Sequence, residues 1–364
     1  MLKKEFTCLL LSLLCGVSLN VFGQEAEEQE PPVFFDASYT GDVFGNCVGG
    51  IKQGVTYMGF ATIGFGINTG SIGKGRWKGG QFYVSGGCTH GGEASANLIG
   101  DLQVASNIEA GNHAFLQELW FKQNFNDKFD FTIGLQDLNA DFATCDEAGL
   151  YINSTFGINA VFASNVSTPI FPITGLGFQA GWNITENIRW QACVFDGEVF
   201  DFEDEKHPNP YNVKYSLSQG ALVATEFHYY LNERGIYKLG AYYHSAENQF
   251  GLYAIAEHRF DKFSVFGELA WAPKAKNDIY LNVIAGMNFY LFKERDDVFG
   301  IALTSALLSD ESKKHETVIE LTYKCQIIDQ LFIQPNLQYI INPAGTEEKL
   351  NNALVAGLRF GFEF

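Results

Sequence analysis

The side chains able to act on another molecule recur at every second position. Glu118, Trp120 and Lys122 form one such set, and Arg189 with Gln191 a second. Glu226, Tyr242, Glu268, Glu320, Lys324, Arg359 and Glu363 continue the pattern along the chain. These are carboxylates, amides, cations and aromatic rings, which form reversible hydrogen bonds with a polar solute and offer it a flat apolar face. Covalent chemistry has no comparable signature. The histidines (His90, His113, His207, His228, His244, His258 and His315) are scattered, and neither an HExxH pair nor a GxSxG elbow occurs. Gly64-Phe65-Gly66 is half of a nucleotide fingerprint, but an alternating stretch surrounds it, which makes these strand glycines. The acid-rich stretch DGEVFDFEDEKHPNP at 196–210 lacks the glycine and glutamate spacing of a calcium loop and reads as solvated. No metal and no cofactor is expected.

Spacing by two requires strands, because successive side chains of a strand point to opposite faces. In LNNALVAGLRFGFEF the apolar Leu354, Ala356, Leu358, Phe360, Phe362 and Phe364 alternate with Gly357, Arg359, Gly361 and Glu363, and the two preceding stretches repeat the pattern. The sequence predicts sixteen strands near 33–46, 51–68, 78–88, 112–125, 128–138, 172–184, 187–196, 214–231, 235–247, 250–260, 262–273, 277–292, 298–309, 314–328, 330–341 and 350–364. Short polar turns, as at Asn126-Asp127-Lys128 and Asp261-Lys262, alternate with long connections near 89–111, 137–171 and 197–213. That is the asymmetry of an outer-membrane barrel, with short periplasmic turns and longer external loops. The aromatic end at Phe364 looks like the signal by which the barrel-assembly machinery recognises such proteins.

The amino terminus carries Lys3 and Lys4, an apolar run from Phe6 to Val17, and Val21-Phe22-Gly23 before Gln24. This predicts a signal peptide over 1–23, an acidic periplasmic tether over 24–32 and the barrel over 33–364. No other run approaches a spanning helix, so a membrane-embedded mature chain must be a closed barrel. A net charge of −18 argues against nucleic acid as a partner. The 38 glycines, 33 phenylalanines and 16 tyrosines suit strands with an aromatic exterior and a polar interior. Beyond the signal, Cys47, Cys88, Cys145, Cys193 and Cys325 are odd in number and lack CxxC spacing; a Cys47–Cys88 bridge competes with two separate thiols.

Several stretches resemble the carbohydrate-selective porins of Gram-negative outer membranes. They are LQVASNIEAG at 102–111, LQELWFKQNFNDKFDFTIGLQDLNADF at 116–142, GLYINSTFG at 149–157, KERDDVFGIAL at 293–303 and, most specifically, ETVIELTYKCQIIDQLFIQPNLQYIINPAG at 316–345. The resemblance implies a transmembrane antiparallel β-barrel of about sixteen strands whose third external loop, here 137–171, folds inward to narrow a channel for passive sugar diffusion. On that expectation the alternating polar residues line the lumen, and Asp141, Phe142, Asp146, Glu147, Tyr151, Asn153 and Phe156 are constriction candidates. The expected partners are sugars and outer-membrane lipid, with a homotrimer as a candidate assembly. Two alternatives stand beside this reading: a general or cation-preferring porin, and a barrel hydrolase using His228 and His244 on adjacent strands.

Overall fold

The alternation closes on itself. The computed structural model describes residues 31–72, 77–198, 220–232, 234–292 and 297–364; the expected signal peptide, most of the tether and most of the 196–210 stretch lie outside them. Among the described residues sixteen strands run β1 (Val33–Val48), β2 (Gly54–Asn68), β3 (Gly80–Gly91), β4 (His113–Phe125), β5 (Phe129–Gln136), β6 (Gly175–Thr185), β7 (Ile188–Asp196) and β8 (Ala221–Leu231). The second half comprises β9 (Gly235–His244), β10 (Gln249–Arg259), β11 (Phe263–Trp271), β12 (Ile279–Tyr290), β13 (Val298–Leu308), β14 (His315–Ile328), β15 (Leu331–Ile341) and β16 (Ala353–Glu363). Each pairs with its neighbours in sequence, and β1 pairs antiparallel with β16, so no edge is left. Closure is what allows strands to cross hydrocarbon, because every backbone N–H and C=O then finds a partner.

β15 shows how sequence sets the two faces. Phe332, Gln334, Asn336, Gln338 and Ile340 turn inward and are buried, while Ile333, Leu337 and Tyr339 face out. Pro335 has no N–H to give, and the recorded β14–β15 partners pass from Thr322↔Asn336 to Cys325↔Ile333 around it without a change of register. The outer surface is apolar along its length, with Val55, Ile63 and Leu239 among its most exposed side chains. Near the turns it carries aromatics such as Trp182, Tyr229 and Tyr237, where amphipathic rings favour the membrane–water boundary.

The connections alternate in length. Those on the β1 N-terminal side are mostly short, as at 126–128, 186–187 and 329–330. On the other side, beside a long connection over 197–220 that lies mostly outside the described residues, come L2 (92–112) and L3 (137–174). Both supply the barrel with its core. Leu138, Phe142, Tyr151, Phe156 and Phe162 of L3 pack against Phe195, Leu222, Tyr242, Tyr253 and Phe266 of the wall. Leu98, Ile99, Ala105 and Ile108 of L2 pack against Phe44, Met58, Val318 and Val355. Besides three 3-10 turns, L3 contains one short α-helix, α1 (Ala160–Asn165), whose preceding residue Asn159 accepts the Phe162 N–H on its side chain. None of Cys47, Cys88, Cys145, Cys193 and Cys325 is in a disulfide, so the Cys47–Cys88 bridge does not form. The partners of Cys88 across the ladder are Ala61 and Ala114, whereas Cys47 sits at the irregularity near the end of β1.

Candidate solute channel

Loops carry backbone donors that a lumen wall must satisfy, and the inward carboxylates and amides of β8–β15 do so for L3. Glu226 accepts the Ala143 N–H at 2.6 Å and the Tyr253 hydroxyl at 2.7 Å. Glu257 accepts the Glu147 N–H at 2.9 Å, and Glu268 accepts from the Asn159 side-chain Nδ2 at 2.6 Å. Glu320 accepts from Ile152 N at 2.7 Å and Asn153 N at 3.0 Å, and its position is fixed by Asn336 at 2.5 Å. Lys238 donates to the Thr144 carbonyl at 2.7 Å. Tyr242 stacks on Phe162 at 4.1 Å and donates to the Val161 carbonyl. Each of these wall residues is buried.

L2 is held in the same manner. Glu316 accepts from the N–H groups of Leu102, Gln103 and Ala344 at 2.7, 2.9 and 2.7 Å. Arg359 forms a two-pronged pair with Asp42, both contacts at 2.8 Å, and its second prong also reaches Asn107 of L2. Neither the inward docking of L2 nor the roles of Glu316 and Asp42 was legible in strand alternation. The only signal was the LQVASNIEAG stretch, which marks L2 without saying where it packs. Burial pushes Glu109 of L2 up to about 7 although it accepts the Ser95 and Ala96 N–H groups. Burial and the neighbouring Glu316 raise Asp101 above the usual carboxylate range. At the entry to L3, burial brings Asp137 to about 6 while it accepts from Asn139 N and Phe171 N.

What stays partly open is the lumen side of β1 and β3–β7. Asp36, Tyr83, Glu118, Trp120, Lys122, Asp130, Gln179 and Arg189 face inward with part of their surface exposed. Trp120 is opposite Tyr83 and Gly134 on the inner face, which removes it from the outer aromatic belt. Arg189 grips Asp130 through both nitrogens, at 2.7 and 3.0 Å, and Gln191 donates to the Asp141 carbonyl at 2.7 Å. Lys122, Asp130, Asp141, Phe142, Gln179 and Arg189 surround a cleft of about 10 Å³, close to the space of one water.

The sequence-derived candidates thus divide. Glu118, Trp120, Lys122 and Arg189 border the open side, with Asp141 and Asp146 exposed on L3. Lys324 lies inward with its ammonium 4.2 Å from the Phe332 ring centre, and Glu363 is exposed near the end of β16. Gln191, Glu226, Tyr242, Glu268, Glu320 and Arg359 anchor loops. Phe142, Tyr151, Asn153 and Phe156 are buried among those anchors, and Glu147 is tied to Ser264, Asn288 and Tyr290. His228 bonds Glu226, whereas His244 lies opposite Leu222 and bonds the Gly197 carbonyl; the two rings are not brought together. Among the described residues no group of three or more His, Cys, Asp or Glu side chains is placed to hold a metal. A 710 Å³ groove bordered by Phe227, Tyr229, Tyr237, Leu239 and Leu269 lies on the outer, lipid-facing side and is not part of the channel.

The profile of the carbohydrate-selective porin (OprB) family matches residues 52–262 and 250–364. The chain belongs to that family. An OprB-family chain is a sugar-selective channel of the outer membrane and not an enzyme. Porin B of Pseudomonas aeruginosa strain PAO1 is 24% identical, over 93% of this chain and 88% of that protein. A high-pH structure of Pseudomonas putida OprB superposes with a TM-score of 0.79 at 21% identity, covering 92% of this chain and 94% of that one. Its low-pH counterpart gives 0.60 at 20% identity, with 92% and 93% covered. The outer-membrane channel DcaP of Acinetobacter baumannii shares the barrel at a TM-score of 0.58 and 8% identity, with 91% and 97% covered.

Proposed function

We propose that this OprB-family channel passes glucose-sized sugars and small oligosaccharides by passive diffusion along the open side of the lumen. Supporting this is the division of labour among the inward polar groups. Most of those of β8–β15 are taken up in holding L3 and L2, while Glu118, Trp120, Lys122, Arg189 and Asp141 keep exposed surface on the open side. Weak, exchangeable hydrogen bonds of that kind order a hydroxylated solute without trapping it. The proposal extends to residues 1–23 as an export signal, 24–32 as a tether, and the strand ending in Phe364 as the segment read by the assembly machinery. Association into homotrimers is proposed as well. Its support is a polar patch on the outer face of β1–β3, where Tyr39 bonds Tyr57 and His90 beside Gly41 and Gly59. A membrane-facing band gains by burying such groups against another copy.

A second reading, a cation-preferring general porin, has one observation in its favour. Asp36, Glu118, Asp130 and Asp141 outnumber Lys122 and Arg189 on the open side, which concentrates cations there. Swelling of proteoliposomes in glucose, a disaccharide and an amino acid of glucose size, with single-channel current recorded beside it, separates the two. Preferential sugar flux and a saturable glucose block of the current are expected. Flux that follows size alone, with a sugar-indifferent cation current, leaves the general porin.

A further inference from the structure

The outer wall is unevenly covered, although each strand turns a residue outward at every second position. One row runs Tyr229, Tyr237, Ala256, Gly267 and Ala285 from β8 to β12, each paired with the next across the ladder, before Leu303 of β13 restores a large side chain. In the row farther from the short turns, Ala254 lies between Leu239 and Leu269. Residues no larger than alanine, set between large ones, leave the 710 Å³ groove on the lipid-facing side. Its walls are Tyr229, Tyr237, Leu239 and Leu269, and its floor is Ala254, Ala256 and Gly267. Barrel packing does not require that gap. A Cβ on Gly240 or Gly286, both lumen-facing, would strike the Tyr253 or Phe266 ring, whereas one on Gly267 would meet only the Ile284 carbonyl at 3.6 Å, an ordinary contact. The wall therefore explains those two glycines and leaves Gly267 to be explained from outside.

The groove runs toward the rim that carries the short turns. One step nearer that rim, His258 of β10 lies opposite Gly235 of β9, where a Cβ would meet its imidazole, and its ring packs against Phe260 at 4.7 Å. Beyond it come the connections 232–234 and 260–262, with the exposed cations Arg234 and Lys262. Arg234 pairs with Asp261 at 3.1 Å, but both are largely exposed, so an incoming phosphate competes for the guanidinium. Cations at this point stand out on a chain of net charge −18. An apolar groove in the hydrocarbon band that ends at tyrosines, a histidine and cations has the polarity profile of a phospholipid, from tail through glycerol to phosphate. Within hydrocarbon no hydrophobic gain holds a tail in place, so residence depends on close packing along the groove and on the headgroup contacts.

We propose that this groove holds one tail of a glycerophospholipid from the leaflet on the short-turn side, with the phosphate beside Arg234 and Lys262. Such a lipid is a fixed part of the β8–β11 wall, whatever passes through the lumen. The test is native mass spectrometry of the purified mature protein released from nanodiscs of phosphatidylethanolamine and phosphatidylglycerol. One retained phospholipid per barrel is expected. Gly267→Leu, which fills the floor, and Arg234→Gln combined with Lys262→Gln are each expected to lower its occupancy about fivefold. Should Gly267→Leu fail to assemble into a heat-modifiable barrel, Ala256→Leu carries the same expectation. Barrels released free of lipid, or lipid retained equally by the wild type and the groove-filling variants, overturn the proposal. Retention that survives loss of both cations overturns the placement of the phosphate. Paired barrels in place of a lipid adduct, abolished by Gly267→Leu, give the groove to a second copy and overturn the lipid site as well.

Discussion

Glu320 shows what one lumen carboxylate does. It is fully buried and accepts two consecutive backbone N–H groups of L3 while Asn336 fixes its position. Removing it leaves the Ile152 and Asn153 donors buried without a partner, at about 1–3 kcal/mol for each unsatisfied group. Glu320→Ala is therefore expected to release the middle of L3, and Glu320→Gln, which keeps one acceptor oxygen, to do so less. Hydrogen exchange at Ile152 and Asn153 reads this directly, and unchanged slow exchange in Glu320→Ala would refute the anchoring role. By contrast, the Arg189–Asp130 pair borders the open side and is partly solvated, so its contribution is to the shape and local charge of the cleft more than to stability.

At the scale of elements, L2 and L3 turn a wide barrel into a narrow one, and their docking depends on groups that titrate. Glu109 is raised in the folded protein from 4.5 to about 7 by burial. A carboxyl so raised favours the docked state fully below its unfolded value, and that contribution is lost as pH climbs through the folded one. L2 is expected to be held most firmly near pH 4.5 and to loosen towards pH 7, in the direction that the raised Asp101 beside Glu316 also pushes. Limited proteolysis of L2 across that window, corrected for the protease's own pH profile, should show cutting that rises with pH and a flatter profile in Glu109→Gln. Cutting that rises equally in both proteins would sink the assignment.

The whole molecule is stabilised by its match to two solvents, lipid outside and packed loops with water inside. Leu239 is 65% exposed on the outer face, between Phe227 and Ala254 in the ladder. Leu239→Arg is expected to destabilise the barrel by about 2–4 kcal/mol if the site lies at the bilayer midplane, less nearer an interface. Urea unfolding in lipid vesicles measures the shift. A loss no larger than that of Leu239→Ala would mean that this face does not meet hydrocarbon.

Period-two alternation determined the sixteen strands, because one side of each had to meet hydrocarbon and the other the interior; the β15 pattern around Pro335 could be read with no neighbour in view. Turn length against loop length likewise gave the orientation of the strands. Alternation says that Glu226, Glu268 and Glu320 point inward, but not whether they meet solute or loop. Only tertiary structure decided that, by laying L3 against β8–β15 so that its backbone N–H groups claimed Glu226 and Glu320 and the Asn159 side chain claimed Glu268. The inward docking of L2 and the Asp42–Arg359 pair across the closing seam join residues far apart in sequence. Their placement depends on register and on where a long loop finds apolar cover, and neither is written in local periodicity.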